Sequence, residues 1–98
     1  MQLDLTVSPT NPLYAGLGVT EVGGRANLPN AMSDTVINTV GKAIGEMVRS
    51  CTDRSEVIIT GPAPVQIYLV AFHAVLHTFT VVRYRDGKGV ETTVAQHG

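Results

Sequence analysis

Apolar and polar residues alternate from Leu3 to Val7, the period of a short half-buried strand. Ser8-Pro9-Thr10-Asn11-Pro12 breaks that pattern. Leu13 to Val22 is apolar and contains Gly16 and Gly18, which predicts a second strand with a bulge or a close approach at one of the glycines. Gly23 to Asn30 reads as a polar, glycine-rich loop. From Ser33 the period changes. Ser33 or Asp34 caps a helix in which Val36, Ile37, Val40, Ala43, Ile44, Met47, Val48 and Cys51 recur at three- and four-residue spacings. Asn38, Thr39, Lys42, Glu46 and Arg49 fall away from that stripe. Gly41 and Gly45 each cost about 1 kcal/mol of helix propensity relative to alanine, so the helix is expected to lie tight on a sheet or on a second helix.

Glu56-Val57-Ile58-Ile59-Thr60 is nearly all apolar, as in a central strand covered on both faces. Gly61-Pro62-Ala63-Pro64 ends it, and Pro64 suits the first position of a second helix running to about His77. Ile67, Tyr68, Ala71, Phe72, Val75 and Leu76 form its apolar face, while Gln66, Val70, His73 and His77 form a separate line. Thr78 to Arg85 is β-branched and aromatic, Asp86-Gly87 reads as a two-residue hairpin turn, and Gly89 to Gln96 returns as the last strand. The predicted order is ββαβαββ in a single domain spanning 1–98. The predicted fold class is α+β, with two helices on one face of a mainly antiparallel sheet. The alternative is a parallel crossover through the second helix, which would make the sheet mixed.

With 98 residues, 44% apolar and 15% charged, the chain has material for one core and is unlike a disordered chain. A single cysteine, Cys51, excludes an internal disulfide and a cysteine-based zinc site. The net charge of −1 argues against binding bulk DNA or RNA by general electrostatics. The opening residues carry no basic, long apolar leader, which predicts a cytoplasmic protein, and prolines, a glycine and histidines interrupt the apolar stretch Val57–Val82 before it reaches the ~20 residues of a spanning helix. Residues 73–98 concentrate the chemistry: Arg83, Arg85 and Lys88 against Asp86 and Glu91, with all three histidines.

His73 and His77, four apart on a helix, project together as metal ligands or as general acid–base groups; equally, His77 simply ends the helix. A two-residue Asp86-Gly87 turn would set Arg85 opposite Lys88, a like-charge pair that an anion such as phosphate would relieve. Asp86 also serves as a turn residue. The Gly61–Pro64 connection joins a buried strand to a helix start, where anions often bind, but it has lost two amide donors to proline and matches neither a Walker motif nor a dinucleotide fingerprint, so it reads as a rigid connection able to line a pocket.

Thr60-Gly61-Pro62-Ala63-Pro64, the apolar helix with His73 and His77, the strand closed by Tyr84, Asp86-Gly87-Lys88-Gly89 and the late Gln96-His97 together resemble the small CRISPR-associated ring nucleases of type III systems. The resemblance covers about residues 57–97. It implies a ferredoxin-like two-layer sandwich and a homodimer, with the possibility of a tetramer or higher assembly that sandwiches the ligand between dimers. It further implies binding of cyclic tetra-adenylate, a second messenger of antiviral signalling, and its manganese-dependent cleavage as a phosphodiester. By position, His77 resembles the family's helix-end histidine used in cleavage, Asp86 its hairpin aspartate, Lys88 the arginine two residues later and His97 its late histidine, while Arg85 is an extra residue before the aspartate. The expected catalytic residues are His77 and Asp86, and the expected ligand-binding ones His73, Arg85, Lys88 and His97. The rival expectations are a sensor of the same fold that binds the ring without cutting it, and an oligomerisation module without a ligand.

Overall fold

The computed structural model describes residues 1–30 and 33–97. Strands β1 (Gln2–Asp4), β4 (Glu56–Thr60), β5 (Val81–Arg85) and β6 (Glu91–Gln96) form one four-stranded sheet in the order β1-β4-β5-β6. Strands β2 (Thr20–Val22) and β3 (Arg25–Asn27) form a separate ribbon, and helices α1 (Asp34–Arg49) and α2 (Val65–Leu76) precede β4 and β5. The molecule is a small α+β domain with two helices and a mixed sheet.

The helices form where the spacing places them. Ser33 Oγ accepts from the Val36 amide at 3.2 Å and caps α1, whose buried residues are Val36, Val40, Ile44 and Val48. In α2 the buried residues are Ile67, Ala71 and Val75, and Pro64 and His77 stand at its two caps. β1 pairs parallel to β4, β4 parallel to β5, and only β5–β6 is antiparallel. Two right-handed crossovers advancing the same way across a sheet put both helices on one face. The strand burial agrees: Leu3, Val57, Ile59 and Val82 are buried, and Gln2, Asp4 and Glu56 are exposed. One hydrophobic cluster joins these residues to the helix stripes, Leu5, Leu13, Tyr14, Leu28 and Phe79.

Several expectations need correcting. The two layers and two helices are as expected, but strand count and order differ from ββαβαββ, and the main sheet is mixed rather than mainly antiparallel, the arrangement given by the alternative of a parallel crossover through the second helix. Parallel pairing follows because α2 carries the chain back across the sheet before β5 begins. β4 is covered on one face only, which leaves Ile58 half-buried. Leu13 does not open a strand: Pro12–Tyr14 is a 3-10 turn capped by Asn11 Oδ1 at 3.1 Å from the Leu13 amide. The loop expected after Val22 is instead a hairpin, because Gly23 and Gly24 both take the positive φ (59° and 77°) that a tight two-residue turn needs.

The helix glycines divide. A Cβ on Gly41 would lie 2.9 Å from Val70 Cγ2 on α2, whereas one on Gly45 would meet nothing closer than the mobile Arg49 guanidinium at 3.6 Å. Gly41 is therefore the point of close helix–helix approach, and Gly45 has no such neighbour. Urea denaturation is expected to show Gly45→Ala stabilised by about 0.5–1 kcal/mol. Gly41→Ala is expected to show no gain or a loss, since the overpacking cost of about 1–3 kcal/mol offsets the propensity. Equal gains in both variants would contradict the close approach.

Candidate functional site

The residues singled out in the last quarter of the chain lie at two ends of the sheet. His77 follows the last turn of α2 and His97 follows β6. The His97 amide donates to the Thr80 carbonyl at 2.8 Å, which continues the β5–β6 ladder and holds His97 beside the start of β5. As a result His77 and His97 line one cleft of about 230 Å³, with Thr78, Phe79 and Thr80. Both are exposed. The loop before β4 reaches the same end, where the Thr80 amide donates to the Arg54 carbonyl at 3.0 Å.

Asp86 and Lys88 lie at the opposite end, beyond the last residue of β5. Thr80 and Asp86 are separated by the length of that strand, about 20 Å at the usual rise per residue. A single chain does not bring His77 and Asp86 together. His73 joins neither group; it lies on an exposed stripe of α2 with Val65, Leu69 and His77. Gln66 and Val70 do not belong to that stripe, since Val70 turns towards α1 at Gly41.

The hairpin differs from a two-residue turn. Asp86 and Val90 close it, with the Asp86 amide donating to the Val90 carbonyl at 3.0 Å and the Gly89 amide to the Asp86 carbonyl at 3.1 Å. Gly89 takes φ 83°, so the loop is Gly87-Lys88-Gly89. Arg85 consequently pairs with Glu91 and not with Lys88. Its guanidinium donates through Nε and Nη2 to Glu91 Oε2 at 2.9 and 2.8 Å and through Nη1 to Gln2 Oε1 at 3.3 Å, all on the helix-free face. Glu91 also faces Arg83 Nε at 3.6 Å. The like-charge pair that motivated an anion at the tip is therefore absent. Lys88 is exposed and makes no ion pair among the described residues.

Asp86 has a structural task. Its Oδ1 accepts from the Lys88 amide at 2.8 Å and from the Val90 amide at 3.0 Å. It also borders a cleft of about 430 Å³ with Thr60, Gly61, Pro62, Tyr68, Tyr84, Arg85 and Gly87. Tyr68 donates its hydroxyl to the Gly61 carbonyl, and its ring meets Tyr84 edge-on, with centroids 5.5 Å apart and planes at 82°. Burial, with smaller contributions from Tyr84 and Asp4, pushes the Tyr68 phenol up to about 12. On the other side of the Gly61–Pro64 turn a wider cleft of about 610 Å³ is bounded by Thr6, Ser8, Glu21, Asn27, Pro62 and Pro64 among others.

These two clefts sit outside the carboxyl ends of the parallel strands, the usual ligand position in such sheets. Sequence reasoning placed a pocket at the Gly61–Pro64 turn but missed Tyr68 and Tyr84 as its walls. The available signal was an aromatic closing a strand just before a turn. The second wall follows from the parallel crossover through α2 between β4 and β5, which brings Tyr68 against Tyr84.

A manganese ion would need a donor set. His77 and His97 offer two imidazoles, and among the described residues no group of three or more His, Cys, Asp or Glu side chains converges. The residues of one chain therefore do not make up a manganese site, and no step below is routed through a metal. No helix is long and apolar enough to cross a membrane among the described residues. No protein family, no curated protein and no solved structure matches the chain.

Asp86 gives a direct test of the hairpin. Asp86→Ala removes both acceptor bonds and is expected to destabilise the fold by about 1–2 kcal/mol in urea denaturation. Asp86→Asn keeps an Oδ1 acceptor and is expected to stay within about 0.5 kcal/mol of the parent chain. A harmless alanine variant would show that the two bonds hold nothing.

Proposed function

We propose that the chain binds and cleaves a cyclic oligoadenylate, cyclic tetra-adenylate in the first instance, as a cytoplasmic ring nuclease of type III CRISPR antiviral signalling. The observation that carries this reading is the convergence of His77 and His97, twenty residues apart, on one cleft at the end of the sheet. Two imidazoles lining one cleft suit the two proton transfers of phosphodiester cleavage. In the proposed step one imidazole takes the proton of a ribose 2′-hydroxyl. That oxygen forms a bond to the adjacent phosphorus as the bond from phosphorus to the 5′-oxygen breaks. The second imidazole, protonated, gives its proton to the departing oxygen. The products are a 2′,3′-cyclic phosphate and a free 5′-hydroxyl.

Asp86 and Lys88 would meet the same phosphodiester only from a second copy, with Lys88 offsetting phosphate charge. A homodimer, or a tetramer sandwiching the ring, is therefore part of the proposal. Val65 and Leu69 support it: they are 69% and 65% exposed on the α2 stripe that also carries His73. The ferredoxin-like description is kept here for the two-layer architecture alone. The second reading is a sensor of the same ring, favoured by the employment of Asp86 Oδ1 in the hairpin.

The test is chromatography of cyclic tetra-adenylate after incubation with the purified protein, with and without manganese. Linear products are expected, and His77→Ala is expected to retain ligand affinity while cleavage falls about 10²-fold or more. An intact ring after incubation with protein in excess, despite measurable binding, would leave the sensor reading in place of the enzyme.

A further inference from the structure

Tyr84 is 37% exposed although it lies on the helix-bearing side of β5, near the end of the strand. Its neighbour Tyr68 does not cover it. The two rings meet edge-on, and the Tyr68 hydroxyl is tied to the Gly61 carbonyl, so Tyr68 braces Tyr84 from one side. A ring held this way has little rotamer freedom left to lose when something stacks on it. The surrounding cleft of about 430 Å³ falls within the range of small-ligand sites, and it lies outside the carboxyl ends of β4 and β5. Its rim is polar. Asp86 Oδ1 is occupied by two amides, but Oδ2 accepts no hydrogen bond among the described residues. A flat aromatic wall beside an open carboxylate oxygen suits a planar heteroaromatic ring that carries an N–H donor.

The geometry points to a nucleobase subsite in this cleft, in which a purine stacks on Tyr84 and presents its amino edge to Asp86. The inference rests on the proposed nucleotide ligand and deepens it. It separates base recognition, at the carboxyl end of the strands, from the histidine cleft at the other end. Stacking of this kind tolerates phenylalanine and requires an aromatic ring.

The probe is adenosine 5′-monophosphate, titrated into the whole chain while the tyrosine ring resonances are followed by NMR. The Tyr84 ring signals are expected to move upfield on saturation, those of buried Tyr14 are expected to stay, and uridine 5′-monophosphate is expected to bind more weakly. Tyr84→Ala is expected to weaken the binding of the monophosphate and of cyclic tetra-adenylate about tenfold or more, and Tyr84→Phe to keep it. Thermal melting checks that the alanine variant is folded; should it not be, Tyr84→Leu and the parent titration carry the test. Unchanged affinity in a folded Tyr84→Ala chain, or no movement of the Tyr84 signals up to millimolar nucleotide, would overturn the subsite. Tyr84-dependent binding without any cleavage would overturn only the nuclease reading and leave the subsite supported.

Discussion

Gly61 has no room for a side chain. It takes φ 100°, and a Cβ there would run into the Asp4 carboxylate and come within 2.6 Å of the Thr6 amide nitrogen. The closeness has a cause. Beyond β1, the Leu5 amide still donates to the Thr60 carbonyl at 2.7 Å and the Val7 amide to the Pro62 carbonyl at 3.1 Å, so the chain after β1 runs directly against the turn after β4. That contact fixes where α2 begins. With α2 placed, Tyr68 reaches back to the Gly61 carbonyl, and its ring settles against Tyr84. The clefts on both sides of the turn are shaped by the same backbone. A glycine that only looks like a strand terminator in the sequence thus sets the geometry of the whole carboxyl end of the sheet.

The opposite end depends on something simpler. β5 and β6 run antiparallel, so the residue after β6 must return to the start of β5, which is also where α2 delivers His77. The two histidines line one cleft because a helix end and a strand end lie at the same end of the sheet. Neither contributes to the core, and both are open to solvent. The division of chemistry between the two ends is therefore a consequence of topology, with the length of β5 between them.

Much of this was legible. The 3.6-residue stripe and a cap at Ser33 or Asp34 place the start of α1, although the stripe runs on to Cys51, two residues past the helix end at Arg49, and β4 covers Glu56–Thr60 as expected. Both features are local, and local physics decides them. The β5–β6 hairpin is legible from its turn, whereas the parallel β4–β5 pairing stands in the sequence only as the alternative, because parallel and antiparallel pairing differ in what lies between the strands and across the sheet. An all-apolar β4 suggested cover on both faces, yet Ile58 faces the helix-free side, where it stays half-buried among Gln2, Arg83 and their neighbours. The ribbon β2–β3 escaped because its strands are short and fully exposed, leaving no alternation to read. At the site, Asp86, Lys88, His77 and His97 could be named, but their separation could not. Arg85 was misplaced because one hairpin residue more or less decides its partner: with Gly89 absorbed into the loop, it faces Glu91.

In the proposed nuclease, groups at the two ends of the sheet act from different copies of the chain. Mixing two impaired variants measures this directly: His77→Ala supplies only the hairpin end, and Lys88→Ala, which removes the charge proposed to face the phosphate, supplies only the histidine end. The account predicts that the mixture cleaves cyclic tetra-adenylate well above either variant alone, because a mixed assembly holds sites with one intact group from each copy. A mixture that assembles, as seen by sizing with differently tagged chains, and still cleaves no better than its components would contradict it.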